Sequence, residues 1–414
     1  NDLAWIAQDE DGGAEWFAEA GSLPILDDRA LDATCRFDPE AVPTLFLIGA
    51  DGQLRGSWVG FDRREWRELS DRLAKENERE RASVSWEALP ELRPGCGSRH
   101  LDPTVAAQLE MPPGSEQLTA RRLPLAEGED VQEFLAARGL ADGLPVVPPT
   151  PARVLAMLSG TRMAATDIVA TVPPNLVPVS VEKVAINAVM AGCLPTYMPT
   201  LIAALRAVCS ESFNLHGVLA TTFFSSPILI VNGPVRDAIG IGYGGNCLGQ
   251  GNRANLSIGR AAQLIVQNVG GGRPGGIDRA VLGQPGKTSF CFGEHEARSR
   301  WEPLHVERGF AAGASTVTAF AGSGPVAIVD QLSRSGRSLA VSYGRTVAAS
   351  MHPKLFSPDV FIVVPPEHVD TFARDGLSKD DVREVMLEAS QRPAHSLARD
   401  DSCAEGTPDS ALQR

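Results

Sequence analysis

No run of about 20 apolar residues occurs in this chain of 414, so no membrane-spanning helix is expected. The sequence also lacks a C-x-x-C pair. Its seven cysteines, at 35, 96, 193, 209, 247, 291 and 403, are odd in number and scattered, which excludes a disulfide scaffold and a zinc ribbon. Basic charge is in deficit. Lys+Arg 38 against Asp+Glu 51 leaves −13, which excludes a general binder of phosphate backbones, so no nucleic-acid partner is expected. What remains is an ordinary globular composition, 43% hydrophobic and 21% charged, with 40 Gly and 30 Pro. The length suits two or three domains.

Hydrophobic period and turn residues divide the chain. Residues 1–82 read as a compact α/β unit: a strand over Leu3–Ala7, a helix over Gly13–Ala20, an extended run at Leu23–Leu26, and a helix over Arg29–Phe37. An Asp51-Gly52 turn between Thr44–Ile48 and Gln53–Val59 predicts a hairpin, and Asp62 caps a helix reaching about Arg81. Residues 83–128 carry Pro and Gly without a sustained period and read as a linker. The larger region, 129–392, alternates helices (131–138, 152–158, 181–191, 199–208, 255–267) with strands (228–231, 326–329, 360–364). The pattern predicts an α/β domain with a mixed sheet, and 393–414 is a polar tail.

In the first unit the order of elements, Val42-Pro43-Thr44 before the hairpin, the Phe46–Gly52 run and Gly60-Phe61 resemble the thioredoxin superfamily. The nearest style is the TlpA-like thiol–disulfide oxidoreductases. The resemblance implies a cis peptide at Pro43 and a substrate-facing edge at Val42, Pro43 and Thr44; a plain trans proline is the alternative. It also implies a C-x-x-C and a first strand that would fall upstream of Asn1, so a longer natural chain is expected to supply both. Cys35 lies on a predicted helix, away from the family's catalytic position, and reads as buried and structural.

Several stretches of chemistry-bearing residues remain. Cys96, between two glycines and near Arg93, Arg99 and His100, is a candidate client thiol on a flexible tether, or else an unpaired linker cysteine. The glycine-rich stretch 239–251 precedes a helix and is neither a Walker A loop nor a Rossmann fingerprint. Gly244, Gly245, Asn246, Gly251, Asn252 and Arg253 are its candidate anion-binding residues, against a plain packed crossover. Cys247 inside it is a candidate nucleophile, its thiolate favoured by the helix N-terminus and Arg253. Residues 290–307 gather Cys291, Glu294, His295, Glu296, Glu302, His305 and Glu307, a set suited to acid–base chemistry or a cation, though its spacing matches no standard metal motif. His216, in Asn214–Gly217, and Asn232 are candidates because α/β enzymes place chemistry at strand ends.

Asp142–Thr150, Gly251–Asn255, Pro303–Arg308 and Asp375–Lys379 resemble an uncharacterised bacterial α/β family. Its relatives stand beside proteins with a Sec/Cys-Gly-Ser-Cys motif, which implies thiol-linked chemistry by association. The leading expectation is therefore a thiol–disulfide oxidoreductase-type module coupled to an α/β domain, with Cys96, Cys247 and Cys291 as partner thiols. One alternative is a hydrolase or lyase of a small anionic substrate, using His216, Glu294 or His305 for proton transfer. The other is a ligand-binding protein without turnover. Cofactor, metal, oligomeric state and compartment (cytoplasmic, exported or membrane-tethered) stay open.

Overall fold

The computed structural model describes residues 4–7, 25–80, 83–98, 112–126, 128–350, 359–399, 401 and 406. The helix expected at Gly13–Ala20, Cys403 and most of the 393–414 tail lie outside them. The chain divides into two compact units, 1–112 and 113–414, and its class is α/β with small mixed sheets. Among the described residues no helix is long and apolar enough to cross a membrane.

The first unit pairs its strands two at a time. β1 (Trp5–Ala7) and β2 (Ile25–Asp27) are parallel, and α1 (Asp32–Phe37) follows. β3 (Ala41–Val42) precedes the hairpin of β4 (Thr44–Ile48) and β5 (Leu54–Val59), whose turn places Gly52 at φ 77°. After β6 (Phe61–Asp62), the Asp62 carboxylate accepts from Arg64 N (2.9 Å) and Glu65 N (3.1 Å) and starts α2 (Arg63–Glu76). That helix stops short of Arg81, where the Asn77 amide takes the Leu73 carbonyl (2.8 Å) and Glu78 turns to φ 49°. The Val42–Pro43 peptide is cis.

Two expectations are corrected in this unit. Cys35 is exposed, because α1 buries only Thr34, which the Asp28 carboxylate holds through its N–H and hydroxyl. Nor is the start of the supposed linker a free tether. β7 (Leu92–Arg93) pairs with β6, and β8 (Cys96–Gly97) pairs antiparallel with β3, Cys96 opposite Val42. A Cβ on Gly95 would stand 2.7 Å from the Val42 carbonyl oxygen, so this approach needs glycine.

In the second unit α3 (Val131–Ala137), α4 (Pro151–Leu158) and the hairpin β9 (Ile168–Val172) with β10 (Val177–Ser180) lead into α5 (Val181–Ala191). α6 (Met198–Val208) and α7 (Leu215–Ala220) precede β11 (Ser226–Asn232), and α8 (Val235–Ile239) and α9 (Arg253–Asn268) come after it. β12 (Cys291–Gly293), α10 (Leu304–Glu307), β13 (Thr316–Gly322), α11 (Gly336–Ser350), α12 (Pro366–Arg374) and α13 (Lys379–Ser390) complete the unit.

β11 is buried along its whole length, as a central strand of continuous apolar residues should be. β12 lies parallel on one side of it and β13 antiparallel on the other. Leu229 and Val231 face the cluster built by α5, α6 and α9, while Ile228 and Ile230 pack with Phe292 and Phe320 on the opposite face. Within the helical layer Glu182, 1% exposed, accepts from Thr119 N and Oγ1 and from Ala120 N. The end of the supposed linker is therefore fixed to the core by a buried carboxylate. Arg260 of α9 holds Asp142 through two parallel bonds (2.8 and 2.7 Å), which ties Asp142–Thr150 down as well.

The strands expected at Val326–Val329 and Val360–Val364 do not form. Pro325 precedes one run and Pro365 ends the other, and proline offers no ladder N–H. β13 takes the sheet position instead.

Candidate functional site

β11 and β12 are parallel, so their carboxyl ends lie side by side, the usual location of chemistry in an α/β sheet. Asn232, fully buried, ends β11. Its amide Nδ2 donates to Glu294 Oε2 (2.6 Å) and Glu296 Oε1 (2.9 Å), so one donor group brings two carboxylates together. Gly233 follows at φ 83°. A Cβ there would fall 2.0 Å from the Ala314 carbonyl oxygen, and the turn lets its N–H reach Glu296 Oε1 (2.8 Å).

Arg236, in the first turn of α8, completes the arrangement. It pairs with Glu296 Oε2 (3.1 Å), donates through Nε to the Gly233 carbonyl (3.1 Å), and donates through Nη1 to the Glu294 carbonyl. The two acids are thus held differently. Glu296 has both oxygens engaged and its charge balanced by Arg236. Glu294 has Oε2 fixed by Asn232 and by Leu304 N (2.8 Å), while its Oε1 has no hydrogen-bond partner among the described residues.

The glycine-rich stretch opens beside this site, because Gly293 N donates to the Gly242 carbonyl (3.1 Å). Tyr243 therefore lies under the Arg236 guanidinium (4.9 Å to the ring centre) and edge-on to His295 (4.9 Å). Its hydroxyl donates to Asp237 Oδ1 (2.8 Å). That bond, with the Asp237 charge, holds the phenol above its usual pKa.

Buried Asn255 stitches the loop closed. Its Oδ1 accepts from Gly242 N (2.8 Å), and its Nδ2 donates to the carbonyls of Gly242 (2.9 Å) and Cys247 (3.0 Å). Asn252 caps α9 by accepting from Asn255 N, and Asn246, at φ 59°, donates to the Gln250 carbonyl (2.7 Å). Gly244, Gly245 and Gly251 are exposed, and the N–H groups of Gly244 and Gly245 have no hydrogen-bond partner among the described residues.

Of the expected site residues, Glu294 and Asn232 come together with the start of the loop. Arg253 does not face the loop: its Nε (3.0 Å) and Nη2 (2.8 Å) both donate to the Gly192 carbonyl. Cys247 is no activated thiolate, since burial pushes its pKa up. Cys291 is corrected too. It is buried in β12, and burial, with the nearby Cys193, raises its thiol to about 12.

His305 is 1% exposed. Its Nε2 faces the Ala312 carbonyl (3.3 Å) and its Nδ1 is buried without a partner, so no substrate reaches the ring; it anchors residues 305–312. His216 is exposed on α7, in the segment that enters β11 at its amino end, and no hydrogen bond joins it to Glu294. Among the described residues no group of three His, Cys, Asp or Glu side chains is placed to hold a metal.

Arg236, Tyr243 and Gly233 were not among the expected site residues. The signal for two of them was present, since an Asn-Gly-Pro turn directly after an apolar strand followed by Arg236 marks a strand end in an α/β chain. No known family, curated protein or solved structure matches the chain.

Proposed function

We propose that the second unit is an enzyme of the hydrolase or lyase kind that moves a proton on a small anionic substrate, with Glu294 as the proton-transfer group. The observation that carries this reading is the asymmetry of the acid pair. Glu296 is saturated by Arg236, Asn232 and Gly233, whereas Glu294 keeps Oε1 free at the carboxyl end of β11 and β12. The unpaired N–H groups of Gly244 and Gly245 are the donors available to a substrate carboxylate or phosphate.

The test follows turnover of a panel of small carboxylic esters, amides and hydroxy acids by the parent chain and by Glu294→Gln. Loss of a general acid–base group costs typically 10²- to 10⁴-fold, and Glu294→Asp should recover part of it. Equal turnover by Glu294→Gln would remove the proposed role.

A second reading rests on the first unit. Exposed Cys96 sits opposite Val42 at the edge that the thioredoxin resemblance makes substrate-facing, which supports a thiol–disulfide role for this module. Thiol titration of the native chain with a chromogenic disulfide at pH 8 separates the cysteines. Cys96 and Cys35 should react at once, Cys193 and Cys291 only on unfolding, and Cys96→Ser should remove one fast equivalent. A native Cys96 as slow as the buried thiols would count against the redox role.

A further inference from the structure

The second unit also has a groove of about 720 Å³, within the range of small-molecule sites. Arg300, Trp301, Asp370, Arg374, Gly376 and Ser378 line it. Its floor is fixed by Trp301, which stacks on the fully buried Phe372 (5.7 Å between ring centres, 22° between planes) and donates from Nε1 to the Leu377 carbonyl (3.1 Å). Its rim follows from α12, where Asp370 and Arg374 are four residues apart and share a face. Gly376, at φ 76°, then turns the chain into Ser378, the cap of α13.

The charges at the rim are unevenly committed. Asp370 meets Arg298 at 3.2 Å and Arg300 only at 4.0 Å, so one carboxylate serves two guanidinium groups. Arg374 uses Nε on Asp375 (3.2 Å) and Nη2 on the Arg334 carbonyl (2.6 Å). Among the described residues, both Nη atoms of Arg300 and Nη1 of Arg374 have no hydrogen-bond partner. Arg300 is 72% and Arg374 58% exposed in their side chains. Among the residues that line the groove, Arg300 and Arg374 against Asp370 leave one net positive charge over an aromatic floor, with Asp381 held on the Ser378 side.

We propose that this groove binds a small aromatic phosphate, with the flat ring against Trp301 and the phosphate between Arg300 and Arg374. Two planar guanidinium groups with unused N–H donors match phosphate oxygens, and an indole wall takes a flat ring. Free pyrophosphate offers the charge without the ring, and adenosine the ring without the charge.

The experiment is calorimetric titration of the full chain with ADP, adenosine and pyrophosphate at low salt, alongside Arg300→Ala, Arg374→Ala and Trp301→Phe. ADP should bind saturably and at least tenfold more tightly than either half. Each arginine variant should weaken it about tenfold, and ADP quenching of tryptophan fluorescence should disappear in Trp301→Phe. The arginine pairs are exposed, so these two variants should melt with the parent. Absence of saturable ADP binding would overturn the proposal, as would binding that both arginine variants leave unchanged.

Discussion

Asn232→Asp isolates the donor on which the acid pair depends, because it exchanges an NH₂ for an oxygen without changing shape. In the parent, Nδ2 makes bonds of 2.6 and 2.9 Å to Glu294 and Glu296. Hydrogen bonds to charged groups contribute about 1.5–3 kcal/mol each, so the two together contribute roughly 3–6 kcal/mol. The substituted oxygen would meet both carboxylates at those distances, where like charges repel by about 6 kcal/mol per pair at an effective dielectric of 20. The new carboxyl relieves this by keeping its proton, so its folded pKa rises well above the ordinary carboxylate value.

A raised folded pKa means that stability is lost as pH rises, so the deficit should be greatest near pH 8 and shrink towards pH 5. We expect a loss of at least 4 kcal/mol at pH 8, seen as a fall of roughly 10 °C in thermal unfolding of the full chain, and less than half of that at pH 5. Asn232→Leu serves as the control, since it removes the donor and adds no titrating group; its deficit should lack the acid-side recovery contributed by the new carboxyl. Unfolding of Asn232→Asp that matches the parent at pH 8, or a deficit that widens on acidification, would refute the shared-donor arrangement.

Arg260→Ala should be among the most damaging single substitutions in the second unit. It leaves the Asp142 carboxylate, 13% exposed, without its two-bond partner and frees the carbonyls of Leu144 and Pro145, a loss of about 3–5 kcal/mol in denaturant unfolding. Burial alone would raise the Asp142 pKa, but the Arg260 hydrogen bonds and charge outweigh it and the group ends lowered, so in the parent this contribution fades only as pH falls through the acidic range. At the alkaline end, burial raises Cys193 to about 11 and Cys291 to about 12, from 9.0. The folded state therefore keeps protons that the unfolded chain releases, so these two thiols should lower stability from about pH 9 upward by up to about 2.7 kcal/mol per pH unit, and Cys209, also raised to about 11, adds a third such contribution. A Cys193→Ala, Cys291→Ala pair that keeps the full slope would assign it to other groups.

Five helices of the second unit were legible from apolar period, whereas α11, α12 and α13 were not. Helices 131–138, 152–158, 181–191, 199–208 and 255–267 announce themselves by apolar spacing and by Asp130, Thr150, Ser180 and Asn252 at their starts, and they form within two residues of the expected limits. The sheet was less readable. Ile228–Val231 stands out because β11 is buried on both faces. Thr316-Val-Thr-Ala-Phe-Ala-Gly322 carries small and polar residues and gains its strand character only from pairing with β11, which no local pattern encodes. The valine runs at 326 and 360 are as apolar as β11 but have prolines at their edges and no partner strand.

The site divides along the same line. Glu294 and Asn232 could be named from residue type and strand position, whereas the roles of the cysteines and histidines could not, because burial decides them. Cys291 and His305 have the chemistry of a nucleophile and a base in the sequence. β12 closes over one and α10 over the other, and each becomes part of the support. The proposed reactive position is instead the group whose one oxygen is held by Asn232 and Leu304. That arrangement joins positions 62 and 10 residues apart, so it exists only once the parallel pairing of β11 and β12 has formed. Fold and candidate chemistry are therefore coupled: a substitution that loosened the β11–β12 register should reduce any Glu294-dependent turnover even if it touched none of the acid pair's own contacts.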